Sequence, residues 1–171
     1  MATIQISKLD AARRQIETAV RLYFCEVDPV SIHTLISAAY EILRGINCSR
    51  GGAPMLKEQI PAWVRPDASA ASRHRLQEAQ NFFKHADRDP DGTLEFRTDP
   101  IELLVYEACN KYRDLTGESA PLLLVFEAWF WLGPGSALVT NPDHMMARDR
   151  ARKAFPNSTR AAFFAEVLPM M

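Results

Sequence analysis

The segment at residues 119–132 restricts the possible folds more than any other part of the chain. Its sequence, SAPLLLVFEAWFWL, is apolar on nearly every face of a helix. Such a helix must be surrounded by other elements, and at about 14 residues it is too short to span a bilayer. Glu127 is the only charge in 120–132. It either finds a partner in the interior or marks a solvent side of the helix, and we favour the solvent side.

Apolar residues recur at helical spacing along most of the remaining chain. The pattern predicts helices over about 7–27, 28–47, 69–86, 99–115, 119–132, 141–155 and 158–168. Ser7, Asp28 and Ser158 are expected N-caps, and Gly117 is an expected helix stop. Alternation of apolar and polar residues occurs only at 93–96, so no strand is expected.

These elements predict an all-α fold. We expect one domain over 1–171, in which an antiparallel four- or five-helix bundle (about 7–133) carries a C-terminal helical pair (about 141–168), because short connections favour antiparallel neighbours. The chain has 171 residues, of which 47% are hydrophobic. That is enough to bury a core without a disulfide or a metal.

Composition excludes several function classes. A net charge of -1 disfavours nucleic-acid binding by bulk charge. Cys25, Cys48 and Cys109 form no CxxC pair and fit a reducing compartment. The N-terminus lacks an apolar signal core, so a cytoplasmic location without membrane association is expected. No motif for phosphate binding or nucleophilic catalysis occurs, so no cofactor is expected.

A basic run occurs near the C-terminus, at Arg148, Arg150, Arg152 and Lys153, with Asp149 inside it. Such a run is typical of a solvated helix face.

Polar residues form a stripe on the third predicted helix. His74, Glu78, Asn81 and His85 fall within a sector of about 60° at the flank of its apolar face. They could ligate a metal, relay protons or bind a partner. The favoured interpretation is that they are boundary residues bonded to neighbouring helices or solvent. We further expect Asn81 and His85 to lie side by side at a helix–helix groove, and Phe82 and Phe126 to belong to the core.

His33 lies at the flank of the second predicted helix. It either meets the His85 stripe across the bundle or bonds to a backbone carbonyl, and we favour the second. Residues 48–67 are rich in glycine and proline. They predict a long loop that is a candidate lid or partner-binding segment.

An acidic turn follows the third helix. Asp87, Asp89, Asp91 and Gly92 match the first half of a calcium-binding loop, D-x-D-x-D-G. The twelfth position holds Thr98 instead of the bidentate glutamate. A solvated turn is therefore favoured over a metal site.

Two segments carry a resemblance. NFFKHADRDPDG and DPVSIHTLISAAYEIL resemble a family of small bacterial proteins without an assigned activity, over about residues 8–117. The resemblance implies a shared fold unit. The site residues that it carries over are His33, Asn81, Lys84, His85, Asp87 and Asp89.

A second resemblance is to the HEPN superfamily of helical bundles. Its ribonucleases carry an arginine, usually followed by a polar residue, and a histidine four to six positions after the arginine. Asn81 and His85 are in register with that motif, but Gln80 stands where it has arginine. An amide cannot supply the fixed charge that a phosphate transition state needs.

The first hypothesis is a helical interaction or regulatory module that binds a protein partner or a second copy of itself. Its binding residues would be His33, Glu78, Asn81, Lys84 and His85. The alternatives are an HEPN-like RNA-processing enzyme or degenerate toxin-like domain, with Asn81 and His85 as catalytic candidates, and a metal-binding helical protein using Asp87, Asp89 and Asp91. RNA is the partner that the first alternative implies.

Overall fold

The computed structural model describes residues 3–59, 74, 77–85, 87–98, 100–133, 142–156 and 158–171. Across these residues every regular element is a helix and no strand occurs, which confirms the predicted all-α class. The helices are α1 (Lys8–Phe24), α2 (Pro29–Ser49), α3 (residues 77–84), α4 (Ile101–Thr116), α5 (Pro121–Leu132), α6 (Pro142–Ala154) and α7 (Arg160–Val167), and a 3-10 turn, Leu168–Met170, follows α7.

One hydrophobic core joins α1, α2, α4, α5 and α7. The all-apolar helix α5 is central, because it contacts α1, α4, α6 and α7. Its residues Val125, Phe126 and Phe130 are fully buried. The predicted burial of this segment and of Phe126 is confirmed.

Glu127 corrects one detail of that prediction. Its side chain is only 14% exposed, and it is ion-paired with Arg113 of α4. The carboxylate therefore has a partner in the interior and does not mark a solvent side. The last turn of α4 supplies that guanidinium, which the sequence of α5 alone does not indicate.

The turn between α1 and α2 contains the predicted N-cap of α2 and an unpredicted end of α1. Asp28 accepts hydrogen bonds from the backbone amides of Val30 and Ser31, at 3.2 Å and 3.0 Å. However, α1 ends at Phe24, three residues earlier than predicted. Glu26 adopts a left-handed conformation with φ 54°, which ends the helix without the usual glycine.

Helix α2 extends beyond its predicted end at 47 to Ser49. The helix stop is at Gly51, which has φ 70°. The Gly51 amide donates to Cys48 O at 3.0 Å and the Gly52 amide to Asn47 O at 2.9 Å. This paired arrangement is the glycine-dependent C-cap, and it occurs inside the segment that was predicted as loop.

Residues 53–59, which we call the anchor segment, are held against the helices. Met55 and Leu56 are 1% and 3% exposed. This part of the predicted 48–67 loop is therefore packed in the core and is no lid, because two apolar side chains hold it there. The remainder of that loop lies outside the described residues.

The remaining boundaries differ in small ways. Thr159, not Ser158, caps α7 and accepts from the Ala162 amide at 3.2 Å. Residues 93–96 form no strand. The predicted beginning of the third helix lies outside the described residues. In the part of the chain that the structure describes, no helix is both long and apolar enough to cross a membrane.

Candidate functional site

The polar stripe predicted on the third helix lines one groove on the protein surface. We call it the α3 groove; its volume is about 470 Å³. It is lined by His74, Gln77, Glu78, Asn81, Phe82, His85, Arg88 and Asp89. All of these residues come from α3, from the turn that follows it and from His74, three residues before α3.

The inner face of α3 explains why these side chains point outward. Ala79 is 3% exposed, and the ring of Phe83 lies 5.5 Å from the His33 ring and 5.2 Å from the Phe96 ring. Gln80 accepts a hydrogen bond from Lys57 Nζ of the anchor segment. These three residues orient the helix, so that Asn81 and His85 face away from the core.

Phe82 is placed differently from our prediction. Its side chain is half-buried and lines the α3 groove instead of joining the core. Adjacent residues on a helix point about 100° apart, so Phe83 occupies the inward position and Phe82 cannot. The ring of Phe82 contacts that of Phe83 edge-on, with 6.0 Å between the centroids.

Asn81 and His85 line the same groove, one turn apart. We expected a second helix to form the other wall of this groove, but none of the described lining residues belongs to another helix. Within the described residues the site is therefore an open surface groove. His74 Nδ1 lies 3.8 Å from Glu78 Oε2, and these side chains are 79% and 50% exposed. His85 Nδ1 lies 3.9 Å from Asp87 Oδ1. These are loose, solvated contacts that leave the polar atoms accessible.

His33 does not reach the groove. It is 1% exposed, and its ring packs edge-on against Phe83 and Phe96, with centroids 5.5 Å apart in both cases. Its Nδ1 lies 3.5 Å from the Ser37 hydroxyl. His33 therefore packs against the inner face of α3. Its contact with that helix is with Phe83 and not with His85.

Lys84 also lies outside the groove lining. It is exposed, and its charge lowers the pKa of Lys57, although burial is the larger cause of that lowering. Lys84 thus belongs to the side of α3 that faces the anchor segment.

The acidic turn has the geometry of a turn. The Gly92 amide donates to Asp89 O at 3.2 Å, and the Asp89 carboxylate occupies the space that a Cβ at Gly92 would take. Among the described residues, no group of three His, Cys, Asp or Glu side chains is placed to hold a metal ion. Within the described residues, Asp87, Asp89 and Asp91 are therefore not placed to hold a metal ion together.

The position that bears on the HEPN resemblance is Gln80. Its side chain points toward Lys57 and away from His85. The side chain of an arginine at this position would therefore leave α3 on the side opposite His85. Arg88, three residues after His85, does line the groove with Asn81 and His85. One guanidinium therefore reaches the groove from the turn.

A buried polar network beside α3 was not predicted. Glu107 of α4 is 7% exposed, and its Oε1 accepts the Leu56 amide at 2.6 Å. The Lys57 amide donates to the Tyr40 hydroxyl at 2.9 Å, and Lys57 Nζ lies 3.2 Å from Glu41 Oε1. The anchor segment is thus attached to α2, α3 and α4 at once.

Burial is the main reason that the pKa of Glu107 is raised to about 7; the Leu56 amide, the Tyr40 hydroxyl and the charges of Lys111 and Lys57 oppose that rise. Oε2 of this carboxyl has no hydrogen-bond partner among the described residues. A glutamate in an amphipathic helix is usually predicted to be exposed. The only sequence signal for its burial was its place between Tyr106 and Ala108 in an otherwise apolar run.

Comparison with protein-family models, with curated proteins and with solved structures finds no match to this chain. Both resemblances noted from the sequence therefore stay predictions.

Proposed function

We propose that this protein is a helical interaction module whose binding surface is the α3 groove. The ligand is a segment of a protein partner that presents basic and apolar side chains. One observation carries the proposal: the half-buried Phe82 lines a single open groove together with Glu78, Asn81, His85, Arg88 and Asp89.

Burial supports a binding role, because the fold does not need the groove side chains. The core is complete without Phe82, while Glu78, Asn81, Arg88 and Asp89 are exposed. An aromatic ring that is left at the surface among polar groups is typical of a protein interaction site.

Charge supports a basic polypeptide over a polyanion. Two carboxylates and one guanidinium line the groove, and Asp87 and Asp91 lie in the adjoining turn. Lysine and arginine side chains would be attracted to this surface and phosphates repelled from it. The ring of Phe82 can accept the apolar stem or the charged head of such a side chain.

Selection from a random peptide library displayed on phage tests this proposal. We expect peptides that combine basic and apolar residues to be enriched on the wild-type protein. Glu78→Gln and Phe82→Ala should each weaken their binding at least about tenfold, which corresponds to about 1.4 kcal/mol.

Glu166→Gln is the matched control, because Glu166 is an exposed acid on α7; it should leave affinity unchanged. Enriched peptides that bind all variants equally, or no enrichment at all, would overturn the proposal.

A second candidate, an RNA-processing activity, is favoured by the presence of Arg88 beside Asn81 and His85. A guanidinium can stabilise a developing phosphate charge and an imidazole can transfer a proton. Incubation of purified protein with a single-stranded RNA tests it. Cleavage that is lost in both His85→Ala and Arg88→Ala would support this candidate, and absence of cleavage by the wild type would reject it.

A further inference from the structure

We propose that the segment bound by the α3 groove is α6 of a second copy of the chain, so that the protein forms a two-fold dimer. This inference rests on the proposed function and names its partner. In the dimer each groove holds the α6 of the other copy, and two identical contacts form.

Charge complementarity between two surfaces of this chain is the first argument. The turn at 87–91, Asp-Arg-Asp-Pro-Asp, carries three carboxylates and one guanidinium, and the stretch at 149–153, Asp-Arg-Ala-Arg-Lys, carries one carboxylate and three cations. Arg150, Arg152 and Lys153 are all exposed. The two surfaces therefore have opposite charge.

Exposed apolar residues on α6 are the second argument. Met145 and Met146 are 45% and 55% exposed, one to two helical turns before the cations. A helix with exposed methionines beside a basic stretch presents the two kinds of side chain that the groove accepts. Methionine is flexible and polarisable, which suits contact with the ring of Phe82.

Closure of the assembly is the third argument. A groove-to-helix contact joins two different surfaces, so a single contact would leave an open chain. If both contacts form between the same two copies, no unsatisfied groove or helix remains. The groove and α6 of each copy would then be sufficient for a closed dimer, with no further interface.

Charge reversal tests the dimer directly by sedimentation velocity, at protein concentrations up to about 1 mM, where weak interfaces associate. We expect the wild type to dimerise, and to dissociate as salt screens the contact. The groove variant Asp87→Lys/Asp89→Lys and the α6 variant Arg150→Glu/Arg152→Glu should each be monomeric, because each brings like charges together twice.

Mixing the two variants in equal amounts should restore a dimer that contains one copy of each. In that mixture both contacts again join opposite charges, whereas neither variant alone can form them. The charge pattern permits no homodimer of either variant, so recovery in the mixture reports this contact specifically.

A wild type that stays monomeric over the whole range, a dimer that survives either reversal, or a mixture that remains monomeric would each overturn the inference. Failure here is distinguishable from failure of the proposed function: a monomer whose groove still binds the selected peptides in a manner dependent on Glu78 and Phe82 has a different partner. Circular dichroism of each variant checks that the exposed substitutions leave the helices intact.

Discussion

We expect Glu107 to make the stability of this protein depend on pH. The pKa of this carboxyl is raised from 4.5 to about 7, mainly by burial. A carboxyl with a raised pKa binds its proton more tightly in the folded state. Its stabilising contribution is therefore complete below pH 4.5 and is lost as the pH rises through about 7.

We expect the free energy of unfolding of the wild type to fall by about 3 kcal/mol relative to Glu107→Gln between acidic and mildly alkaline pH. Glutamine keeps an acceptor for the Leu56 amide and cannot ionise. Urea unfolding of both proteins across this pH range measures the difference. Glu95→Gln, at an exposed position, is the control, and equal pH profiles for Glu107→Gln and the wild type would contradict the prediction.

Phe126 and Phe82 should respond differently to truncation. Phe126 is fully buried in α5, so Phe126→Ala should cost about 3 to 5 kcal/mol through loss of contacts and a residual cavity. Phe82 is half-buried at the groove, so Phe82→Ala should cost less than about 2 kcal/mol. Guanidinium unfolding of the two variants decides the matter. Equal losses would place Phe82 in the core, as its sequence pattern suggested.

At the scale of elements, Tyr23 is one of the side chains that join the C-terminal helix to the bundle. The Tyr23 hydroxyl of α1 is hydrogen-bonded to Glu102 of α4, and it accepts from Trp129 Nε1 of α5 at 2.9 Å. Arg160 of α7 lies 3.8 Å from Glu102 and 4.2 Å from the centre of the Tyr23 ring. Four helices therefore meet at this side chain.

Tyr23→Phe should cost about 1 to 3 kcal/mol, because it leaves a mostly buried carboxylate and an indole N–H without their shared partner. Tyr112→Phe is the matched control, since the Tyr112 hydroxyl donates to the exposed Glu118 at 2.8 Å; its cost should be below about 1 kcal/mol. Thermal unfolding followed by circular dichroism provides the comparison. A smaller loss for Tyr23→Phe than for Tyr112→Phe would show that the junction is not stabilising.

At the scale of the whole molecule, an aromatic cluster connects the first and last helices. The ring of Phe24 stacks on Phe164 with 4.7 Å between centroids, and Trp129 contacts Phe163 at 5.2 Å. The helices that hold these rings belong to one core. A core shared in this way favours cooperative unfolding.

We therefore expect a single unfolding transition with the same midpoint by tryptophan fluorescence and by far-ultraviolet circular dichroism. Two of the three tryptophans, Trp129 and Trp131, lie in α5, and the third, Trp63, lies outside the described residues. Fluorescence therefore follows α5 together with Trp63, while circular dichroism reports on all helices. Two separated midpoints would show that part of the chain unfolds as an independent unit, in conflict with one core.

Features that depend on neighbours along the chain could be predicted from the sequence. The helical class, the caps at Ser7 and Asp28, the stop at Gly117 and the burial of α5 all follow from residue type and spacing, because capping and amphipathicity act within a few residues. The stripe containing Glu78, Asn81 and His85 was predicted for the same reason. Helical geometry alone places residues four apart on one face.

What only the tertiary structure decided depends on residues that are distant in the chain. Glu127 is only 14% exposed and pairs with Arg113 of another helix, and Glu107 is buried where the anchor segment packs against it. Phe83, not Phe82, faces inward because His33 and Phe96 receive its ring. A single-helix pattern specifies a face only to within about one residue position, or 100°. The choice between adjacent residues, and between a buried and an exposed acid, is made by the partners that packing brings from elsewhere.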